Sequence, residues 1–351
     1  MASKIIQNTG FKKTILFAAS IIIIAGIMAS KSIIIPILLA LFLSIICIQP
    51  ILFLEKKKIP YGLSMLFVLV SMGLVLIILG VIIGNSLSEF LIDVPIYQEK
   101  INQMFIEIIN NINESGANIN PQQLMDFIDP GKVISFTAVA AGEMGRVLSD
   151  SFLIIFIMIF MLLEAKSFVL KAALIENVFG NSLEYLNKIG VSIRHYLSIK
   201  TYVSIITGLI IWIWLYLIGV QYAVLWGLIA FLLNYIPNIG SLLAAIPTLL
   251  FSLIQLGFEG MIWIGICYLV VNTVMGSIVE PKVMGKGLGL STLVVFLALI
   301  IWGFILGPVG MFLSIPLTIT IKIILEQNKK TKWMAVMLGT EKETKEMLEK
   351  T

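Results

Sequence analysis

Leu-Asn-Tyr-Ile-Pro-Asn-Ile-Gly-Ser-Leu-Leu-Ala-Ala-Ile-Pro, residues 233–247, and Gly-Pro-Val-Gly-Met-Phe-Leu-Ser-Ile-Pro, residues 307–316, place paired glycines and prolines inside otherwise apolar runs. Lipid offers no water to a freed backbone N–H or C=O, so a helix broken at membrane depth must be covered by protein or line a wet cavity. In both stretches a glycine, Gly240 or Gly310, precedes an Ile-Pro pair ending in Pro247 or Pro316. This weak internal repeat, slipped by one residue, is the kind that marks broken-helix sites in secondary transporters.

Around these breaks the chain is a membrane protein. Its mean hydropathy is +1.04 and 59% of its residues are apolar against 13% charged, a balance that cannot cover a soluble surface. Segments 14–30, 33–54, 62–84, 201–219 and 261–279 approach or exceed the roughly 20 apolar residues needed to cross the bilayer, and 147–163 is a shorter sixth. No Ala-x-Ala site follows Ile15 to Met28, so no cleavable leader is expected. The expected fold is all-α and polytopic, with two broken-helix or hairpin elements.

Orientation follows from positive charge. With the N-terminus inside, 20 of the 24 Lys and Arg residues fall on the cytoplasmic side; Lys31, Lys100, Lys132 and Arg146 fall outside. The acids split evenly, so the net charge of +4 is a topology signal and implies no nucleic-acid partner. Both termini are then cytoplasmic. Parity makes 222–256 a hairpin entered from outside and turning near Pro237-Asn238, and 291–325 a hairpin entered from inside and turning near Gly307-Pro308. The expected organisation is membrane helices in 1–84, an external helical region in 85–146, a transport core in 147–325 and a cytoplasmic tail in 326–351.

Ile101, Met104, Phe105, Ile108, Ile109 and Ile112 form one apolar helical face in the external region, and Asn120-Pro121 opens a second short helix. Within the core, Asn181 and Glu184 have capping-box spacing at the head of a basic helix over 181–200, carrying Lys188, Arg194 and Lys200. A basic amphipathic helix on anionic lipid is the simplest expectation. In the tail, Trp333 to Leu338 is an apolar patch.

Catalytic and cofactor motifs are missing from the sequence. His195 has no metal-sharing partner at i+4, Cys47 and Cys267 lie apart in apolar segments, and no phosphate-loop run occurs. No enzyme, metal site or cofactor is expected. The polar chemistry within lipid depth is Asn234, Tyr235 and Asn238 at the first break, Asn272 and Ser277 in the next crossing, and Glu280 beside Pro281. Buried polar side chains in membranes face a bundle interior or a cavity. These residues, with Pro237, Gly240, Gly307, Pro308 and Gly310, form the candidate substrate path. Glu280 is either a coupling group or an interfacial acid paired with Lys282; Glu164 and Lys322 read as interfacial.

Three of these segments carry a resemblance: Asn234-Tyr-Ile-Pro-Asn-Ile-Gly-Ser, Val279-Glu-Pro-Lys-Val-Met-Gly-Lys-Gly-Leu-Gly-Leu-Ser-Thr-Leu-Val-Val-Phe, and Gly307-Pro-Val-Gly-Met-Phe-Leu-Ser-Ile-Pro-Leu. They are similar to signature segments of the autoinducer-2 exporter (AI-2E) family. The likeness is dense over 195–326, looser at Phe160-Met-Leu-Leu-Glu and Ile128-Asp-Pro, and weak in the external region and tail. It implies about eight membrane segments, a bacterial inner-membrane location, a homo-oligomer and outward movement of a small hydroxylated signalling molecule. A neutral polyol suits the amides and hydroxyls of the path; the only arginines, Arg146 and Arg194, lie outside the apolar segments. Two other readings stand beside export: a sodium (cation)/proton antiporter, against which the lack of a mid-helix Asp counts, and a structural membrane protein with no transported substrate.

Overall fold

The computed structural model describes residues 9–114, 151–168, 170–171, 174, 182–237, 239–284, 289–341 and 344–345. Among the described residues every regular element is a helix. In chain order these are α1 (Thr9–Ala29), α2 (Lys31–Lys56), α3 (Tyr61–Glu114), α4 (Ser151–Phe168), α5 (Ser182–Ile218), α6 (Ala223–Leu233) and α7 (Gly240–Asn272). A π-helical segment (Thr273–Val279) follows, then α8 (Glu280–Met284), α9 (Thr292–Leu306), α10 (Pro308–Gln327) and α11 (Lys332–Leu338). Among the described residues six stretches are long and apolar enough to cross a membrane: Lys31–Lys56, Tyr61–Phe90, Ser151–Phe168, Asn187–Ile218, Gly240–Met284 and Pro308–Gln327. Large apolar side chains such as Leu209, Ile213, Ile300 and Phe304 point outward, a pattern that suits lipid.

The chain divides into two compact units. One comprises residues 1–48, 153–194 and 288–351; the other comprises 49–152 and 195–287. In the second unit α5 and α6 cross at two glycines. A Cβ built on Gly208 would lie 2.7 Å from the Phe231 Cβ and 2.8 Å from the Gly227 carbonyl oxygen, and one on Gly227 would lie 2.5 Å from the Trp212 Cβ. Only glycine admits so close an approach of two backbones, the usual device for packing helices in lipid.

α7 is two helices that meet at Gly257. At Gly257 the backbone takes φ 73°, ψ −167°, a conformation open essentially to glycine alone. Residues on either side then meet in pairs centred on Gly257. Ser241 Oγ donates to Asn272 Oδ1 at 2.7 Å, Thr248 Oγ1 and Tyr268 OH share a hydrogen bond of 3.0 Å, and Leu249 lies 3.5 Å from where a Gly265 Cβ would sit. The limbs 240–256 and 258–272 are therefore antiparallel. In the first unit Gly307 (φ 69°, ψ −153°) reverses α9 into α10 in the same way, and Trp302 Nε1 donates to Thr318 Oγ1 across the hairpin at 3.1 Å.

The two expected hairpins are thus present, the first as α6, the turn residues 234–237 and 239, and the first limb of α7, the second as α9 and α10. Helix lengths refine them. At about 1.5 Å per residue α6 measures roughly 16 Å and α9 roughly 22 Å, both short of the roughly 30 Å of hydrocarbon. Elsewhere helices run further than expected. α3 continues through Pro95 to Glu114, so the segment holding Ile101 to Ile112 is the end of a membrane helix and not a separate element. The side chains of its expected apolar face, and residues 115–150 with Asn120-Pro121 and Ile128-Asp-Pro, lie outside the described residues. The helix expected over 181–200 runs without a break into the next span as α5, and the expected Asn181–Glu184 cap lies outside the described residues. α11 carries the Trp333 patch, with Ala335 buried and the Leu338 carbonyl accepting from the Ser291 N–H at 3.1 Å.

Candidate functional site

The most polar interior feature is a stripe on α5. Tyr196, Lys200, Ser204 and Thr207 fall at i, i+4, i+8 and i+11, one face of a helix, and each is at most 3% exposed. A buried stripe of this kind inside an apolar chain must find partners or cost several kcal/mol on the order of apolar transfer. Lys200 finds Glu280: its Nζ lies 2.7 and 2.9 Å from the two carboxylate oxygens. Ser204 Oγ accepts from Asn234 Nδ2 at 2.9 Å, and Tyr235 OH donates to Thr201 Oγ1 at 2.8 Å. Among the described residues the Tyr196 and Thr207 hydroxyls have no hydrogen-bond partner, and neither does the Trp226 indole N–H on α6. Such orphans are uncommon in native proteins.

Each position follows from local backbone. α6 ends where Tyr235 and Ile236 N–H turn back to the Leu232 and Leu233 carbonyls, at 3.3 and 2.8 Å. That turn aims Asn234 and Tyr235 at α5. Pro237 is buried within it, and Gly240 restarts the helix so tightly that a Cβ there would lie 1.8 Å from the Leu233 carbonyl oxygen. Glu280 is delivered by the π-helical segment, whose extra residue per turn shifts the register of everything after it.

The structure brings Asn234, Tyr235, Pro237, Gly240 and Glu280 to one end of the second unit. Asn238 lies outside the described residues. Asn272 is held by Ser241 on an exposed face, and Ser277 is exposed in the π-helical segment. Gly307, Pro308 and Gly310 belong to the first unit: Gly307 is the reversal, Pro308 the first residue of α10, and Gly310 is buried where a Cβ would lie 1.9 Å from the Trp302 carbonyl oxygen.

One assignment needs correction. Glu280 pairs with Lys200 and not with Lys282, because residues two apart on a helix face different ways. Lys322 is 5% exposed, donates to the Gly289 carbonyl at 2.7 Å and lies 3.7 Å from Glu326. In sequence Lys200 follows Lys188 and Arg194 and resembles a surface cation; the i, i+4, i+8, i+11 stripe of Tyr196, Lys200, Ser204 and Thr207 is the signal that separates it from them. His195, beside the stripe, is exposed, and Cys47 and Cys267 are buried free thiols.

At the far end of α5 a second polar group ties the 219–222 loop down. Tyr97 OH donates to Gln221, Tyr222 OH donates to Asp93 at 2.5 Å, and Gln255 bonds both the Gln221 N–H and the Gly219 carbonyl, at 2.9 and 3.0 Å. Burial pushes the Tyr97 phenol up, with a Tyr222 hydrogen bond opposing and the Asp93 charge reinforcing it. A cleft of about 540 Å³ opens beside this group, lined by Ser86, Glu89, Asp93 and Tyr216.

A helical chain that reverses on glycines inside apolar spans and buries a polar stripe is built as a polytopic membrane transporter. The chain belongs to the AI-2E transporter family, whose model matches residues 17–330. It is 37% identical over 339 residues to "AI-2 transport protein TqsA" of Escherichia coli K12, covering 97% of this chain and 98% of that one. It is 34% identical over 333 residues to "Putative transport protein YhhT" of the same organism, with 95% of each chain covered. A Haemophilus influenzae protein named "Putative transport protein" is 35% identical over 340 residues, 95% of this chain and 98% of the relative.

Proposed function

We propose that this protein exports a small polyhydroxylated signalling molecule, autoinducer-2, across the bacterial inner membrane. The observation that carries the reading is the 37% identity over 97% of the chain to a relative named for AI-2 transport. The α5 stripe fits such cargo: Asn234, Ser204 and Thr207 offer amide and hydroxyl partners of the kind a neutral polyol requires. Both termini lie on the cytoplasmic side in this reading, and the assembly is a homo-oligomer. Labelling of single cysteines on a background lacking Cys47 and Cys267 tests the orientation.

Deleting the gene in a producing cell should raise the internal autoinducer-2 level and lower the external one. Asn234→Ala should reduce efflux roughly fivefold, the worth of one hydrogen bond of about 1 kcal/mol, at unchanged protein level. Equal internal signal in deletion and parent strains ends this reading.

A sodium (cation)/proton antiporter is the second reading, favoured by one observation: an ion pair between Lys200 and Glu280 inside two candidate spans. Sodium-dependent proton flux in liposomes without any organic solute would select it.

A further inference from the structure

Lys200 and Glu280 form a charged pair in the interior of the second unit. Lys200 is 3% exposed and Glu280 17%, and Nζ reaches both carboxylate oxygens. Charges held at this depth in membrane helices pair with one another and mark ion or proton pathways. Two independent features lie beside the pair. The first is the π-helical segment Thr273–Val279, which ends on Glu280; the Glu280 N–H reaches back to the Met275 carbonyl, and Pro281, with no N–H, cannot continue the ladder. Such segments are weakly held and recur at functional sites. The second is the Tyr196 hydroxyl, one turn before Lys200, buried, within electrostatic range of Glu280, and without a hydrogen-bond partner among the described residues.

We infer that Glu280 is a proton site and that Lys200 and Glu280 form a latch between α5 and the π-helical segment, released when the carboxylate takes up a proton. The inference rests on the transport reading. Protonation removes the charge that Lys200 binds and turns Glu280 into a hydrogen-bond donor; Lys200 and Tyr196 remain as its neighbours on α5, with Tyr235 on the adjoining turn and Lys282 two residues on. The bound proton frees residues 273–284 from α5, so each release of the latch moves the segment that carries Ser277. A change in membrane pH gradient is thereby read by the helix beside the stripe.

The test uses the full chain in lipid nanodiscs. Hydrogen exchange of residues 273–284, corrected for the intrinsic pH dependence of exchange, should quicken roughly tenfold between about pH 8 and pH 4. Glu280→Gln should exchange at high pH as the acidified wild type does. The apolar double variant Lys200→Met/Glu280→Leu, which leaves no charge unpaired, should fold and lose the pH dependence. Wild-type exchange that ignores pH, or a double variant that keeps the wild-type response, overturns the latch. In proteoliposomes with autoinducer-2 as probe, flux should follow an imposed pH gradient in the wild type and not in the double variant. Flux indifferent to the gradient overturns the proton linkage; no autoinducer-2 flux with an intact pH response of the segment removes the substrate and leaves the proton site standing.

Discussion

The hairpins at Gly257 and Gly307 reverse the chain with the same backbone and hold it closed by different means. Both have Gly-x-x-Gly, Gly257-Phe-Glu-Gly260 and Gly307-Pro-Val-Gly310, and the first glycine of each has φ near 70° and ψ beyond −150°. The second glycine of each is buried against the preceding helix. The limbs around Gly257 are then joined by side-chain hydrogen bonds at two levels, Thr248 with Tyr268 and Ser241 with Asn272. Around Gly307 apolar packing does more, with Met311 lying on Gly303 and Trp302 bonded to Thr318. Backbone conformation sets the reversal, and the side chains decide whether polar groups line it.

The largest effect should come from the second glycines. A Cβ on Gly310 would lie 1.9 Å from the Trp302 carbonyl oxygen and 2.7 Å from its carbon, both backbone atoms that cannot yield. Gly310→Val should abolish recovery of monodisperse protein in detergent. On Gly260 the obstruction is the Leu256 Cβ at 2.4 Å, so Gly260→Val should be similarly damaging, whereas Gly260→Ala with Leu256→Gly, which takes that Cβ away, should restore folded protein. Rescue failing there would mean that Gly260, like Gly310, is held by more than one removable side chain.

Next come the reversal glycines themselves. Neither Gly257 nor Gly307 has any atom within 4 Å of a built Cβ, so substitution there tests conformation without a clash. Gly257→Ala and Gly307→Ala should each cost about 1–3 kcal/mol in reversible unfolding from mixed micelles, and by similar amounts. A large inequality would show that one hairpin tolerates a different turn.

Much of this was visible in the sequence, and the rest was hidden for physical reasons. Glycine beside proline in an apolar run announces a break, and so residues 233–247 and 307–316 were found. Gly257 has no proline beside it, and a lone glycine is tolerated within a membrane helix; only the segment boundaries at 256 and 261 bracketed it. The match between Gly240 and Gly310 has a counterpart in packing, since each is buried with a preceding carbonyl oxygen, of Leu233 or of Trp302, where its Cβ would be. Asn234 and Glu280 stood out as polar residues in apolar surroundings. Lys200 did not, because a lysine after two other cations reads as solvated surface unless its helical phase with Tyr196, Ser204 and Thr207 is followed. The partner of Glu280 is 80 residues away in sequence, beyond any local rule.

The smallest expected effects lie in the cross-hairpin bonds, and they separate the two hairpins. Thr248→Val removes the partner of the Tyr268 hydroxyl, and Tyr268 is only 6% exposed. Leaving a buried hydroxyl unsatisfied should cost about 1–3 kcal/mol. Thr248 also donates to the Ala244 carbonyl within its own limb at 2.9 Å, but that carbonyl keeps its helical position, so most of the loss falls on Tyr268. Tyr268→Phe made together with Thr248→Val removes the orphan and should recover part of the loss. Trp302→Phe in the other hairpin takes away a donor from Thr318, whose own hydroxyl still donates to the Ser314 carbonyl at 2.6 Å. Nothing buried is left unpaired there, so the cost should be near the lower value of about 0.5 kcal/mol for a net hydrogen bond, plus any loss of packing. If the ranking of these variants by unfolding in mixed micelles is reversed, with Trp302→Phe costing more than Thr248→Val, then the Gly307 hairpin depends on its polar link and the Gly257 hairpin on its packing, opposite to the division drawn from their contacts.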